Sequence, residues 1–141
     1  MGKKRIVKKG SEDSAQKAAS KKISKRKLET GTLYVQSTFN NTKLLLTDEK
    51  GNAICAASSG SLGFKGAKKG TPFAAAKAAE TLIEKAEQMG LKKINVVVKG
   101  VGAGRESSIR GFISKGIQLL SVVDKTPVPH NGPKPKKPRR V

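Results

Sequence analysis

Between Gly31 and Asp124 the polar and apolar positions change period several times, and each change marks an element. Thr32 to Phe39 is rich in β-branched and aromatic residues and predicts a strand. Asn40-Asn41 follows as a turn pair, because asparagine tolerates left-handed backbone and bonds its own chain. Thr42 to Thr47 predicts a second strand, Asp48-Glu-Lys-Gly-Asn52 a second turn, and Ala53 to Ser58 a third strand. These three form an antiparallel meander. After a loop over 59–70 the period lengthens. Thr71-Pro72 is a helix start, with Thr71 as N-cap and Pro72 at the first helical position. The helix runs to Met89, where Gly90 ends it. Ala75, Ala78, Ala79, Leu82, Ile83, Ala86 and Met89 fall on one face, and Lys77, Glu80, Glu84, Glu87 and Gln88 lie opposite. The alanines predict close packing against a sheet.

Ile94 to Val98 is almost wholly apolar, the pattern of a strand covered on both faces. The stretch Lys99-Gly-Val-Gly-Ala-Gly-Arg105 leads into a second helix, drawn to about Gln118, whose apolar positions Ile109, Phe112, Ile113, Ile117 and Leu120 keep the helical period. Leu119 to Val123 is the last strand. The order β-β-β-α-β-α-β predicts a single α/β domain: a mixed five-stranded sheet with helices on its faces.

Charge divides the chain in three. Of 30 Lys+Arg and 10 Asp+Glu, residues 1–30 carry eleven and three, residues 31–124 thirteen and seven, and residues 125–141 six and none, so the net +20 is distributed as +8, +6 and +6. The middle is a mildly basic globular domain long enough for one core, and both ends are polycationic extensions. Residues 1–30 are rich in Lys, Ser and Ala with few apolar side chains, so disorder is the expectation for a free arm. In 125–141, prolines fix φ and remove backbone donors while Lys134, Lys136, Lys137, Arg139 and Arg140 repel one another. Such a tail calls for a polyanion. A charge of this size says little about fold and much about partners. Nucleic acid comes first. A membrane surface is disfavoured, since there is no apolar run approaching about 18 residues and no apolar secretory core near the N-terminus. The single cysteine, Cys55, excludes an internal disulfide framework and has no neighbouring Cys or His for a zinc site. It reads as a small core residue in an intracellular protein.

Candidate chemistry lies in three basic loops. Lys65, Lys68 and Lys69 precede the first helix among glycines, which allow backbone to approach an anion, and the adjoining helix N-terminus adds free amides. The glycine loop before Arg105 repeats that arrangement, with Arg110 and Lys115 following on the second helix. The third is the tail. Asn40-Asn41 and His130-Asn131 suit hydrogen bonding in a folded RNA pocket. The glycine loop is spaced G-x-G-x-G rather than G-x-G-x-x-G and lacks a Gly-Lys-Ser/Thr ending, so no nucleotide cofactor is expected. Enzymatic readings fare poorly. The only histidine, His130, lies in the tail, away from any scaffold that could hold a relay. The only aspartates of 31–124 are Asp48 in a turn and Asp124 at the domain edge, too few for a two-metal centre.

Five motifs in order then point to a family: Phe39-Asn-Asn-Thr42, Gly63-Phe-Lys-Gly66, Lys69-Gly-Thr-Pro-Phe-Ala-Ala75, Lys99-Gly100 through Gly104-Arg-Glu-Ser107, and Thr126-Pro-Val-Pro-His-Asn-Gly132. Over residues 31–141 the chain resembles the S-eleven family of small-subunit ribosomal proteins. The resemblance implies a non-enzymatic component of the small-subunit platform with a ribonuclease-H-like core. It implies binding to 16S-type ribosomal RNA, platform proteins as neighbours, and a position near the messenger RNA exit. The family's RNA-contacting loops and tail match Lys65, Lys68, Lys69, Arg105, Arg110 and the tail from His130 to Arg140. The His-Asn-Gly of the tail is similar to bacterial and plastid members, which implies a cytoplasmic ribosome of bacterial type or a plastid one. Lys65 stands where the family usually carries arginine, which turns a bidentate phosphate contact into a point charge. Val101 and Ala103 replace prolines, which loosens the free loop, and Pro133 replaces a cysteine. The contrasting reading is a nucleic-acid-processing enzyme on the same core fold, which clustered core carboxylates would mark.

Overall fold

The structure is a computed structural model, and it describes residues 27–140. The expected N-terminal arm lies outside the described residues up to position 26. The strands are β1 (Thr30–Ser37), β2 (Thr42–Thr47), β3 (Ala53–Ser58), β4 (Lys93–Lys99) and β5 (Gln118–Asp124), and the helices are α1 (Pro72–Gln88) and α2 (Gly104–Ser114). They form one α/β domain whose five-stranded sheet has the order β3-β2-β1-β4-β5. β1 pairs antiparallel with β2 and parallel with β4, and β4 pairs parallel with β5. The sheet is mixed, as the element order predicts.

Local chemistry explains the turns. β1 stops at Ser37, two residues before the apolar run ends, because Thr38 closes the turn to β2. Its amide donates to the Asn41 carbonyl at 2.8 Å, and its hydroxyl accepts from the Asn41 amide at 3.1 Å. Between β2 and β3 the Asp48 carboxylate accepts from the Asn52 amide at 2.8 Å and from its side chain at 2.9 Å, and these bonds lower its pKa. α1 begins as expected, the Thr71 hydroxyl accepting from the Ala74 amide. The loop before it contains a short 3-10 helix, Gly66–Gly70, that periodicity did not reveal.

Two expectations change. α2 ends at Ser114 instead of near Gln118. Gly116 takes a left-handed φ of +81°, and the following segment pairs with β4. Ile117 and Leu120 matched the helical period by coincidence: Ile117 is a buried connector residue, and Leu120 is exposed on β5 beside a register shift. The second change concerns the layers. α1 and α2 pack side by side on one face of the sheet, where Leu33, Val35, Leu44, Leu46, Ile94, Val96 and Val98 meet Ala78, Leu82, Ile83 and Phe112 in a single core. Burying each large side chain contributes about 1.5–3 kcal/mol relative to exposure. Part of the alanine face meets α2, not the sheet: a Cβ on Gly111 would lie 3.3 Å from that of Ala79. β4 therefore alternates, Ile94, Val96 and Val98 buried and Asn95 and Val97 half-exposed. No helix among the described residues covers the other face. Register aligns Ala56, Leu45, Tyr34, Val97 and Val123 in one row across it. Cys55 lies in the core, and burial raises its thiol pKa. No helix among the described residues is long and apolar enough to cross a membrane.

Candidate nucleic-acid interface

Because β1, β4 and β5 run parallel, their C-terminal ends share one edge of the sheet, the usual place for ligands in α/β folds. Four segments converge there: the turn at 38–41, the loop at 59–71, the glycine loop at 100–103, and the root of the tail at 124–126. Named bonds hold them. The Ser59 amide donates to the Thr42 carbonyl at 3.0 Å and the Gly60 amide to Asn41 Oδ1 at 3.3 Å. The Gly100 amide donates to Thr126 Oγ1 at 3.2 Å, and the Lys125 amide to the Val98 carbonyl at 2.8 Å.

The glycines of this edge, which the sequence pattern suggests are kept for a ligand, have a structural use. Gly100 has φ +94°, and a Cβ there would fall 2.2 Å from the Ser37 carbonyl oxygen. A Cβ on Gly104 would fall 2.1 Å from Thr42 Oγ1, and one on Gly70 2.0 Å from the Phe39 carbonyl oxygen. The missing side chains let the two basic loops close down on the β1–β2 turn.

Arg105, expected to contact RNA, has partners inside the protein. The guanidinium donates to Asp124 Oδ2 at 2.7 Å, to Thr126 Oγ1 at 3.4 Å, and to the Gly100 carbonyl. Asp124 in turn accepts from the Thr126 hydroxyl at 2.6 Å and amide at 2.8 Å. The cluster ties α2, the glycine loop and the root of the tail together. Bonds from Thr126 and from Arg105 hold the Asp124 carboxyl well below the usual carboxylate range. A folded-state pKa depressed in this way stabilises the fold fully above the unfolded value of about 3.9, and that contribution is lost as pH falls through the folded value. Carbon-detected NMR is expected to show the Asp124 carboxylate signal flat from about pH 7 to about pH 3.5; a midpoint near 3.9 would mean that the cluster does not hold in solution.

The remaining sequence-predicted residues divide by place. Lys65 and Lys68 are exposed, and Lys69 is half-buried beside Gly60. Lys68 and Lys69 lie in the last turn of the 3-10 helix, where the Lys68 carbonyl accepts from the Thr71 hydroxyl at 2.7 Å. Asn40 is exposed, while Asn41 is engaged in closing the turn and anchoring Gly60. Arg110 stands exposed on α2, lining a groove with Glu106 and Pro72. Lys115 caps the far end of α2, next to the start of β5, and so lies at the opposite edge of the sheet. His130, Asn131, Lys134, Lys136, Lys137, Arg139 and Arg140 are exposed in a segment without regular structure. Among the described residues the only ion pairs are Lys77–Glu80 and Arg105–Asp124, so no acid neutralises the loop lysines. Sequence reasoning missed the aromatic side chains of this edge, Phe39, Phe64 and Phe73; their signal was phenylalanine interleaved with glycine and lysine.

No group of three or more His, Cys, Asp or Glu among the described residues is arranged to hold a metal ion. Fold and edge together define a basic α/β protein that concentrates cations at the ends of its parallel strands. The sequence model of the family Ribosomal protein S11 matches residues 31–140. Small ribosomal subunit protein uS11 of Treponema pallidum strain Nichols is 51% identical over 121 residues, covering 86% of this chain and 96% of the relative. The protein of the same description from a second strain, of Treponema pallidum subsp. pallidum, matches to the same extent. The chain belongs to the ribosomal protein S11 family. It is a protein of the small ribosomal subunit, a structural component rather than an enzyme.

Proposed function

We propose that the protein binds 16S-type ribosomal RNA through the C-terminal edge of its sheet and through its tail, and so helps to form the subunit platform near the messenger RNA exit. The observation that carries this reading is the convergence of the 59–71 loop, the β1–β2 turn and the root of the tail on one edge, with Lys65, Lys68 and Lys69 unpaired by any described acid. Phosphate neutralisation by such lysines releases counterions and supplies a large share of the affinity. The chain then divides into a basic arm (1–30), an α/β core (31–124) and a basic tail (125–141). Arg105 acts in this scheme by holding the root of the tail, and Lys115 serves a separate, minor contact. The open sheet face, with its apolar row through Tyr34 and Val97, is the surface left for neighbouring platform proteins. The ribosome is of bacterial type and cytoplasmic, a reading supported by the two bacterial relatives.

Hydroxyl-radical footprinting of the full-length protein on a small-subunit ribosomal RNA transcript tests the proposal. The wild type is expected to protect a compact set of backbone positions. The Lys65→Ala, Lys68→Ala, Lys69→Ala triple variant is expected to lose part of that set while melting like the wild type. An unchanged footprint would move the interface elsewhere.

A further inference from the structure

The chain has four phenylalanines, and only Phe112 belongs to the core. The other three stand on the basic edge. Phe39 is 79% exposed at the tip of the β1–β2 turn and Phe73 is 63% exposed in the first turn of α1. Phe64 meets Phe73 edge to face, with ring centroids 6.1 Å apart and planes at 85°. The Phe39 backbone is the surface on which Gly70 closes, so the turn that carries Phe39 lies against the loop that leads into α1. Lys77 Nζ, paired with Glu80 at 2.8 Å, lies 5.8 Å from the Phe73 centroid, and Lys65, Lys68 and Lys69 occupy the adjoining loop. No acidic residue occurs between Ser59 and Ala79 or between Gln36 and Thr47.

Turn closure does not account for Phe39, because the Thr38 hydroxyl and the Asn41 backbone close the turn. A large ring left in water without a packing role is a recognition surface when it recurs in a patch. The surrounding charge selects the partner. An apolar protein surface gains nothing from Lys65, Lys68 and Lys69, which no acid pairs among the described residues, whereas an unpaired nucleotide offers a π face for the ring and a phosphate for the ammonium groups.

We propose that Phe39, together with the Phe64–Phe73 pair, forms a stacking platform for an unpaired base of ribosomal RNA, with the neighbouring lysines holding the flanking phosphates. The inference rests on the RNA-binding reading above and adds to it a site for a base. It predicts a contribution insensitive to salt, unlike that of the lysines.

The test uses the full chain and a small-subunit ribosomal RNA transcript. Phe39→Ala is expected to weaken binding by about 5- to 150-fold, the usual range for losing one base stack, with the log–log salt slope and the melting temperature unchanged. Phe39→Leu, which keeps apolar bulk without a π face, is expected to bind as poorly as Phe39→Ala. The chain has no tryptophan, so Phe39→Trp adds a single indole whose fluorescence the stacked base quenches. If the wild type binds RNA but Phe39→Ala binds equally well and the indole is not quenched, the platform is overturned and the RNA reading stands. Full rescue by leucine overturns it in favour of a simple apolar contact, as to a neighbouring protein. A wild type that does not bind the transcript at all overturns both readings.

Discussion

Gly100→Ala is expected to lower the melting temperature by about 8–40 °C. Two costs combine at this position. The backbone has φ +94°, a conformation that L side chains rarely adopt, and a left-handed residue costs roughly 1–2 kcal/mol. The added methyl also falls 2.2 Å from the Ser37 carbonyl oxygen, and Ser37 belongs to a central strand. Overpacking of a tight interior costs about 1–3 kcal/mol, and in a domain of this size each kcal/mol is worth roughly 4–8 °C. Gly51 separates the two costs. Its φ is +88° and nothing lies within 4 Å of its Cβ position, so Gly51→Ala carries only the backbone penalty and a shift of about 5–15 °C. Differential scanning calorimetry of the two variants decides the point. If Gly100→Ala melts no lower than Gly51→Ala, the glycine loop does not press on β1 and its glycines are kept for a ligand after all.

Gly104 allows a second check on the same packing. Its added methyl would strike Thr42 Oγ1, a side-chain atom with no hydrogen-bond partner among the described residues. Thr42→Ala is therefore expected to recover part of the stability lost in Gly104→Ala. The recovery is incomplete, since Ala75 Cβ also lies 2.9 Å away. No side-chain change rescues Gly100→Ala, where the obstacle is backbone. Additivity of the Gly104 and Thr42 changes in a double-mutant cycle would place the two residues out of contact.

These glycines show where a sequence stops being legible. Their spacing and their place between a strand and a helix were visible, and a ligand was the natural inference, because close approach to an anion and close approach to another strand require the same missing Cβ. Only the parallel pairing of β1 with β4 puts Ser37 under Gly100. The same holds for Arg105. Its partner Asp124 is 19 residues away along the chain, and nothing in the local pattern reveals that β5 ends opposite the start of α2. Order and type of the strands and helices were legible, since they follow from periods of two and 3.6 and from the Thr71-Pro72 start. The end of α2 was not, because Ile117 and Leu120 fit the helical period while belonging to a connector and a strand. The one-sided helix layer was hidden for a related reason. An apolar run such as Ile94 to Val98 suits a central strand whether its second face is covered inside the chain or left for a partner.

The largest effect on binding is expected from the tail. Lys134, Lys136, Lys137, Arg139 and Arg140 are all exposed, and no acid pairs with any of them among the described residues. Replacing all five with glutamine removes nothing from the core, so the melting temperature stays within about 2 °C of wild type. If each cation neutralises one phosphate, the log–log salt slope of RNA binding falls by about 3.5–4.5, at roughly 0.7–0.9 per contact. That slope difference acts over the roughly 0.6 decade between about 50 and 200 mM salt. The affinity advantage of the wild type over the variant therefore shrinks about 100- to 500-fold across that range. The comparison with Phe39→Ala is informative, because the two changes act through different physics. Stacking loss lowers affinity by one factor at every salt concentration, whereas loss of the tail cations changes the slope itself. Filter-binding titrations at four salt concentrations, run on wild type, the glutamine variant and Phe39→Ala, separate them. A slope unaltered by the five substitutions would make the tail a solvated terminus, and the salt dependence would then have to come from the lysines of the 59–71 loop and from the N-terminal arm.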